Sequence, residues 1–122
     1  MKNAVIFGGS GFIGMFFAKH LLEDSNFDKV FILDLIPPNE KNSSFREKQF
    51  FGLGKKVSFI KCDVRKEIDW QVNEQIDLIA NFAAIHREPG HKDFEYFETN
   101  IYGAENICKW AEKNNCNSII FS

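Results

Sequence analysis

The chain has 122 residues, 44% of them hydrophobic and 26% charged, with a formal net charge of −2 and a pI near 5.9. This is enough for one domain with a buried core and too apolar for a disordered chain, and the weak acidity supplies no basic field to attract a nucleic acid or a membrane surface. The longest apolar runs, Phe12 to Ala18 and Asp77 to Ile85, are too short to cross a bilayer, and Met1 to Phe7 lacks the apolar region and cleavage site of a signal peptide, so a cytoplasmic protein is expected.

In chain order, Ala4 to Phe7 reads as a short strand halted by Gly8-Gly9-Ser10-Gly11. From Phe12 to Glu23 the apolar residues Phe12, Ile13, Phe16, Phe17, Leu21 and Leu22 recur at helical spacing, and Asp24-Ser25-Asn26 ends that helix. Lys29 to Leu35 is a second strand, apolar on both faces as a parallel strand covered on each side should be, and closed by Pro37-Pro38. Residues 39–56 are polar, with a short helix near Ser44 to Phe51 and a Gly52-Leu53-Gly54 turn. Lys56 to Cys62 alternates like a third strand; a short helix around Ile68 to Asn73 then leads to a fourth strand, Leu78 to Phe82. After the irregular stretch Ile85 to His91, a helix is predicted from about Phe94 to Lys113, with Phe97, Ile101, Ala104, Ile107, Cys108 and Ala111 along one side. Asn114-Asn115 stops it, and Ser118 to Phe121 begins a fifth strand.

This alternation predicts an α/β fold, a Rossmann-like doubly wound parallel sheet with right-handed crossovers, whose ligands lie beyond the carboxyl ends of the strands. Gly8, Gly9, Gly11 and Gly14 sit at the first such end, between strand and helix. Glycine allows the tight turn and the close approach of a pyrophosphate, and the free N–H groups at the helix start hold the anion. Asp34 follows Gly14 by 20 positions at the end of the second strand, where a carboxylate accepts from ribose hydroxyls and repels a 2′-phosphate, favouring NAD over NADP. The glycines fit two phrasings, Gly9-x-Gly11-x-x-Gly14 and Gly8-x-x-Gly11-x-x-Gly14.

The run Gly8-Gly9-Ser10-Gly11-Phe12-Ile13-Gly14 resembles the signature of NAD-dependent epimerases and dehydratases of the extended short-chain dehydrogenase/reductase kind, and three further stretches match that family in order. Cys62-Asp63-Val64 is similar to its Asp-containing step after strand three, which implies that Asp63 bonds the adenine amino group, with Val64 beside it. Asp77 to Ala84 resembles the segment whose small residues let the cofactor lie across the strand end, which implies cofactor contacts at Phe82, Ala83 and Ala84. Thr99-Asn100-Ile101-Tyr102-Gly103-Ala104 resembles its N-x-x-G stretch, which places Asn100 on a helix facing the cofactor; Ser122 matches the first Ser of the run after strand five. Phe7 and Asn81 depart from the family's usual Thr and His. His86, Arg87 and His91 lie in the loop after strand four, on the ligand side; His86 is placed with the cofactor contacts, the other reading being solvated loop residues.

The resemblance implies a nucleotide-sugar substrate, transient hydride transfer to NAD, and a homodimer. It also implies a Tyr-x-x-x-Lys pair and a Ser or Thr hydroxyl for catalysis. Tyr96 and Tyr102 are followed four residues on by Asn100 and Asn106, so no catalytic residue is assigned here. The expectation is an NAD-binding portion, residues 1–122, truncated after the fifth strand and inactive alone. The alternatives are a non-catalytic NAD(P)-binding regulatory module and a related carbonyl reductase. Cys62, Cys108 and Cys116 form no C-x-x-C pair and are read as reduced packing thiols, with no metal site.

Overall fold

The computed structural model of the chain describes residues 1–9, 11–39, 41, 44–83 and 98–121. Strands β1 (Asn3–Phe7), β2 (Lys29–Asp34), β3 (Val57–Lys61), β4 (Leu78–Asn81) and β5 (Ile119–Phe121) form one sheet in the order β3-β2-β1-β4-β5. Every pairing is parallel. The sheet therefore grows to one side of β1 and then to the other, and its switch point falls between β1 and β4, where an open α/β sheet leaves a crevice at its carboxyl edge.

Successive residues of β1 point to opposite faces, and both faces are buried. Ala4 and Ile6 join Val30, Ile32 and Ala80 against Met15, Ala18, Leu21 and Leu22 of α1 (Phe12–Asp24). Phe50 and Leu53 of α2 (Phe45–Leu53) pack against the same cluster. Val5 and Phe7 join Phe31, Leu33 and Ile79 against Ile107, Trp110 and Ala111 of α3 (Gly103–Lys113). This two-sided burial is why β1 and β2 read as continuous apolar runs. Within α1 the inward stripe is Met15, Ala18, Leu21 and Leu22, whereas Ile13 and Phe16, expected among the core positions, face outward at 64% and 47% exposure. Asn26 and Asn115, at positive φ, turn the chain after α1 and α3, and Gly54 (φ 63) does so after α2, which runs through Gly52-Leu53 instead of turning there.

Residues 68–73 do not form the expected helix; the chain between β3 and β4 crosses without one. Its apolar residues Ile68, Trp70 and Val72 are spaced by two, so an extended chain turns all three toward the core, whereas a helix would spread them around its axis. Trp70 stacks on Trp110 with ring centroids 5.5 Å apart, and the Trp110 indole donates to the Trp70 carbonyl at 2.9 Å. The predicted last helix is described from Glu98: a π turn, Glu98–Tyr102, precedes α3, and Ile101, expected on the buried side, is exposed there. Trp110 takes the central buried position instead. Residues 94–97, with Phe97, lie outside the described residues. No helix among the described residues is long and apolar enough to cross a membrane.

Candidate functional site

The carboxyl ends of β1, β2, β3 and β4 converge on a cleft of about 260 Å³ lined by Gly8, Leu33, Asp34, Leu35, Cys62, Asp63, Val64, Arg65, Phe82 and Ala83. Six of these, Gly8, Asp34, Asp63, Val64, Phe82 and Ala83, are residues that the sequence assigns to the cofactor. The backbone holds the four strand ends together: Gly8 N–H donates to the Leu33 carbonyl at 2.8 Å, Cys62 N–H to Asp34 at 2.9 Å, and Phe82 N–H to Phe7 at 2.8 Å.

The glycine turn owes its composition to three separate contacts. Gly8 has φ +74, and a Cβ on it would stand 2.5 Å from the Ala83 nitrogen and 2.6 Å from the Phe82 carbonyl carbon, both backbone atoms. A Cβ on Gly9 would meet Ile6 Cγ2 at 2.9 Å and Ile32 Cγ2 at 3.0 Å, so that position is closed by the core. A Cβ on Gly14 would lie 2.5 Å from Gly9 Cα, so the first turn of α1 rests directly on the loop. Gly11 differs. Its backbone (φ −75, ψ 173) suits any residue, and an added Cβ would meet only the Gly8 carbonyl oxygen, at an ordinary 3.7 Å. Among the described residues nothing requires glycine at Gly11, and none of them fills the space beside it. Both phrasings fit this geometry, since Gly8 and Gly9 are each closed to a side chain and Gly14 is shared by the two. Gly11 is the N-cap of α1; among the described residues no side chain caps the helix, and its first turn carries no acidic residue.

Asp34 stands at the tip of β2, half-buried, its Oδ1 accepting from the Leu35 N–H at 2.7 Å. Leu35 and Ile36, exposed and apolar, follow it with no cation between them. Asp63 is held more firmly. Its Oδ1 accepts from the Arg65 backbone N–H and from Arg65 Nε, both at 3.0 Å, and its Oδ2 from Arg65 Nη2 at 2.8 Å. These hydrogen bonds from Arg65 keep the Asp63 carboxyl below the usual carboxylate range, against the opposing effect of burial. Burial, and then the nearby Asp63, push the Cys62 thiol up to about 11, so it faces the cleft neutral. Val64 is buttressed from α3: Asn106 Nδ2 donates to its carbonyl at 2.8 Å, and a Cβ on Gly103 would touch Val64 Cγ2 at 3.0 Å. The glycine of the Asn100-x-x-Gly103 stretch therefore lets α3 approach the turn after β3.

Asn81 Oδ1 accepts from the Ala83 N–H at 2.9 Å and shapes the strand end, and the Phe82 ring packs edge-on against Phe17 at 5.6 Å. Asn100, in the π turn, is exposed and does not line this cleft. Ile13 projects from the first turn of α1; the Phe12 backbone opens that helix. Ser10, Ala84, His86 and Ser122, with Arg87 and His91, lie outside the described residues. Sequence reasoning did not single out Arg65. It was legible as an Asp-x-Arg spacing, which suits a side chain that accepts from the N–H two residues on.

The family model described as the 3-beta hydroxysteroid dehydrogenase/isomerase family matches residues 5–122. The chain is 30% identical over 118 residues to D-erythronate dehydrogenase of Haemophilus influenzae, a match covering 93% of this chain and 34% of that protein. It is 28% identical over 127 aligned positions to UDP-glucose 4-epimerase of Neisseria meningitidis, covering 100% of this chain and 36% of that protein. The solved structure of UDP-glucuronic acid 4-epimerase from Bacillus cereus in complex with NAD shares its fold, with a TM-score of 0.72 at 24% identity over 98% of this chain and 39% of that one. The chain spans about a third of the length of the curated relatives it matches. The match begins within β1 and takes in the glycine turn, both acidic strand ends and α3, and on it the chain belongs to the 3-beta hydroxysteroid dehydrogenase/isomerase family and, with it, to the NAD-dependent epimerase/dehydratase group that its motifs resemble.

Proposed function

We propose that these residues are the NAD-binding portion of a nucleotide-sugar epimerase or dehydratase that acts by transient hydride transfer to NAD. The observation that carries the reading is the convergence of Gly8, Asp34, Asp63, Val64, Phe82 and Ala83 on one cleft at the switch point, beside a helix start where Gly11 leaves room for a phosphate. At about 260 Å³ the cleft is smaller than the roughly 300–1,000 Å³ of a whole small-molecule site, which suits the adenosine end of a dinucleotide. In this reading Asp34 accepts from the adenosine ribose hydroxyls, Asp63 from the adenine amino group, and the first-turn amides of α1 take the pyrophosphate. Asn100, and the assigned Ser10, Ala84, His86 and Ser122, belong to the same reading on the resemblance. NAD, when bound, supplies the hydride acceptor; the residues described here bind and orient it and exclude a 2′-phosphate.

The relative D-erythronate dehydrogenase favours a second reading, in which the hydride is not returned and NADH accumulates. The two part on a single readout, net NADH formation in a protein with the full length of the relatives. A cytoplasmic location fits the free Cys62, Cys108 and Cys116, and a homodimer fits the exposed Ile101 and Tyr102 beside α3. Calorimetric titration of the chain tests cofactor choice. NAD is expected to bind more tightly than NADP, and Asp34→Ala to weaken NAD by about 1–3 kcal/mol through the lost charge-assisted hydrogen bonds. Tighter binding of NADP by the wild type would contradict the assignment of Asp34.

A further inference from the structure

Among the described residues Arg65 is the one cation lining the cleft, and neither the glycine turn nor the acidic strand ends account for it. Its guanidinium does not reach for a ligand across open space. It closes a fork on the Asp63 carboxylate, with Nε on Oδ1 and Nη2 on Oδ2, while its own backbone N–H adds a third bond to Oδ1. The Lys66 N–H donates to the Asp63 carbonyl at 3.1 Å and closes the turn that makes this pairing local. Three bonds fix the carboxylate's rotation, and an ionised carboxylate has about four acceptor positions, so it retains capacity toward the cleft, chiefly at Oδ2, which carries a single bond. The side chain of Asp63 is only 18% exposed, against 40% for Arg65, and both line the cleft. A buried carboxyl that could rotate or protonate would offer a hydrogen to a ligand; one clamped by a guanidinium can only accept.

We infer that Arg65 is a positioning residue that holds Asp63 as a fixed, ionised acceptor and thereby makes the site select a 6-aminopurine dinucleotide over its 6-oxo counterpart. The inference rests on the NAD reading above and adds to it a base-specificity device. An adenine amino group donates into the clamped carboxylate, whereas the carbonyl of hypoxanthine sets acceptor against acceptor.

The probes are NAD and nicotinamide hypoxanthine dinucleotide, titrated calorimetrically into the wild-type chain, Arg65→Gln, Arg65→Lys and Asp63→Asn, with a melt recorded for each. The wild type should prefer NAD. Arg65→Gln should weaken NAD about five- to tenfold while changing the hypoxanthine analogue less than about twofold, because only the charge-assisted bond to the amino group depends on the clamp. Arg65→Lys should recover part of the preference, and Asp63→Asn, whose amide can donate, should shift it toward the analogue. Equal losses for both dinucleotides in Arg65→Gln would make Arg65 a general cation of the site and overturn the inference, as would no loss in either. Selectivity lost in Asp63→Asn but kept in Arg65→Gln would show that Asp63 reads the base unaided, which also overturns it. A wild-type chain that binds neither dinucleotide would overturn the cofactor reading itself, and this inference with it.

Discussion

The turn after β1 and the turn after β3 face the same cleft and are built by opposite means. The first is shaped by missing atoms: Gly8, Gly9 and Gly14 stand where any Cβ would meet backbone or packed core at 2.5 to 2.9 Å. The second is shaped by added charge: Asp63 and Arg65 lock each other, and α3 braces the turn through Asn106 and the close approach of Gly103 to Val64. Steric exclusion against backbone has no soft way out, because the neighbour cannot rotate aside. A partly exposed ion pair is screened by water and can be lost with the fold intact. Damage at Gly8, Gly9 or Gly14 should therefore appear as lost structure, and damage at the Asp63–Arg65 pair as lost recognition.

The largest effect should come from Gly8→Val. It forces a β-branched residue into positive φ and drives its Cβ into the Phe82–Ala83 backbone, and should cost about 3 kcal/mol or more of stability. A thermal melt within a few degrees of wild type would show that the two turns do not differ in the way described. The smallest effect concerns the Asp63–Arg65 pair. Because the folded pKa of Asp63 is depressed, the pair's contribution is present in full above the unfolded value near 3.9 and is lost as pH falls through the lower folded value. Arg65→Gln should thus be less stable than wild type at neutral pH by less than about 1 kcal/mol, the two converging at the acid end. Denaturant titrations across pH 2 to 7 check this; a difference that widens on acidification would reverse the sign of the linkage.

Much of the fold was legible because the strands are buried on both faces and the turns carry strong punctuation: the glycine run, Asp34 before Pro37-Pro38, and Asn114-Asn115. The stretch from Ile68 to Val72 was not, since an apolar spacing of two within a short segment competes with a helical reading until a partner, here Trp110, is in view. In helix α1 Leu21 and Leu22 face inward as expected, whereas Ile13 and Phe16 do not. Its start is apolar almost all round, so periodicity alone could not choose Met15 and Ala18 over Ile13 and Phe16. Within the cleft, spacing found Gly8, Asp34 and Asp63, whereas Arg65 escaped because its role depends on a side-chain pairing across a turn, which spacing suggests but does not fix.

Among the glycines whose surroundings are described at the loop, Gly11 alone has no reason within the fold to lack a side chain, so it isolates the cofactor claim from folding. The deciding measurement is calorimetric titration of NAD into wild type and Gly11→Val, with circular dichroism confirming that the variant is folded. The open space and permissive backbone at Gly11 predict a near-wild-type melt together with a loss of NAD affinity of about a hundredfold or more, because the branched side chain fills the place of the pyrophosphate. Unchanged NAD affinity in a folded Gly11→Val chain would contradict the placement of the dinucleotide at this cleft.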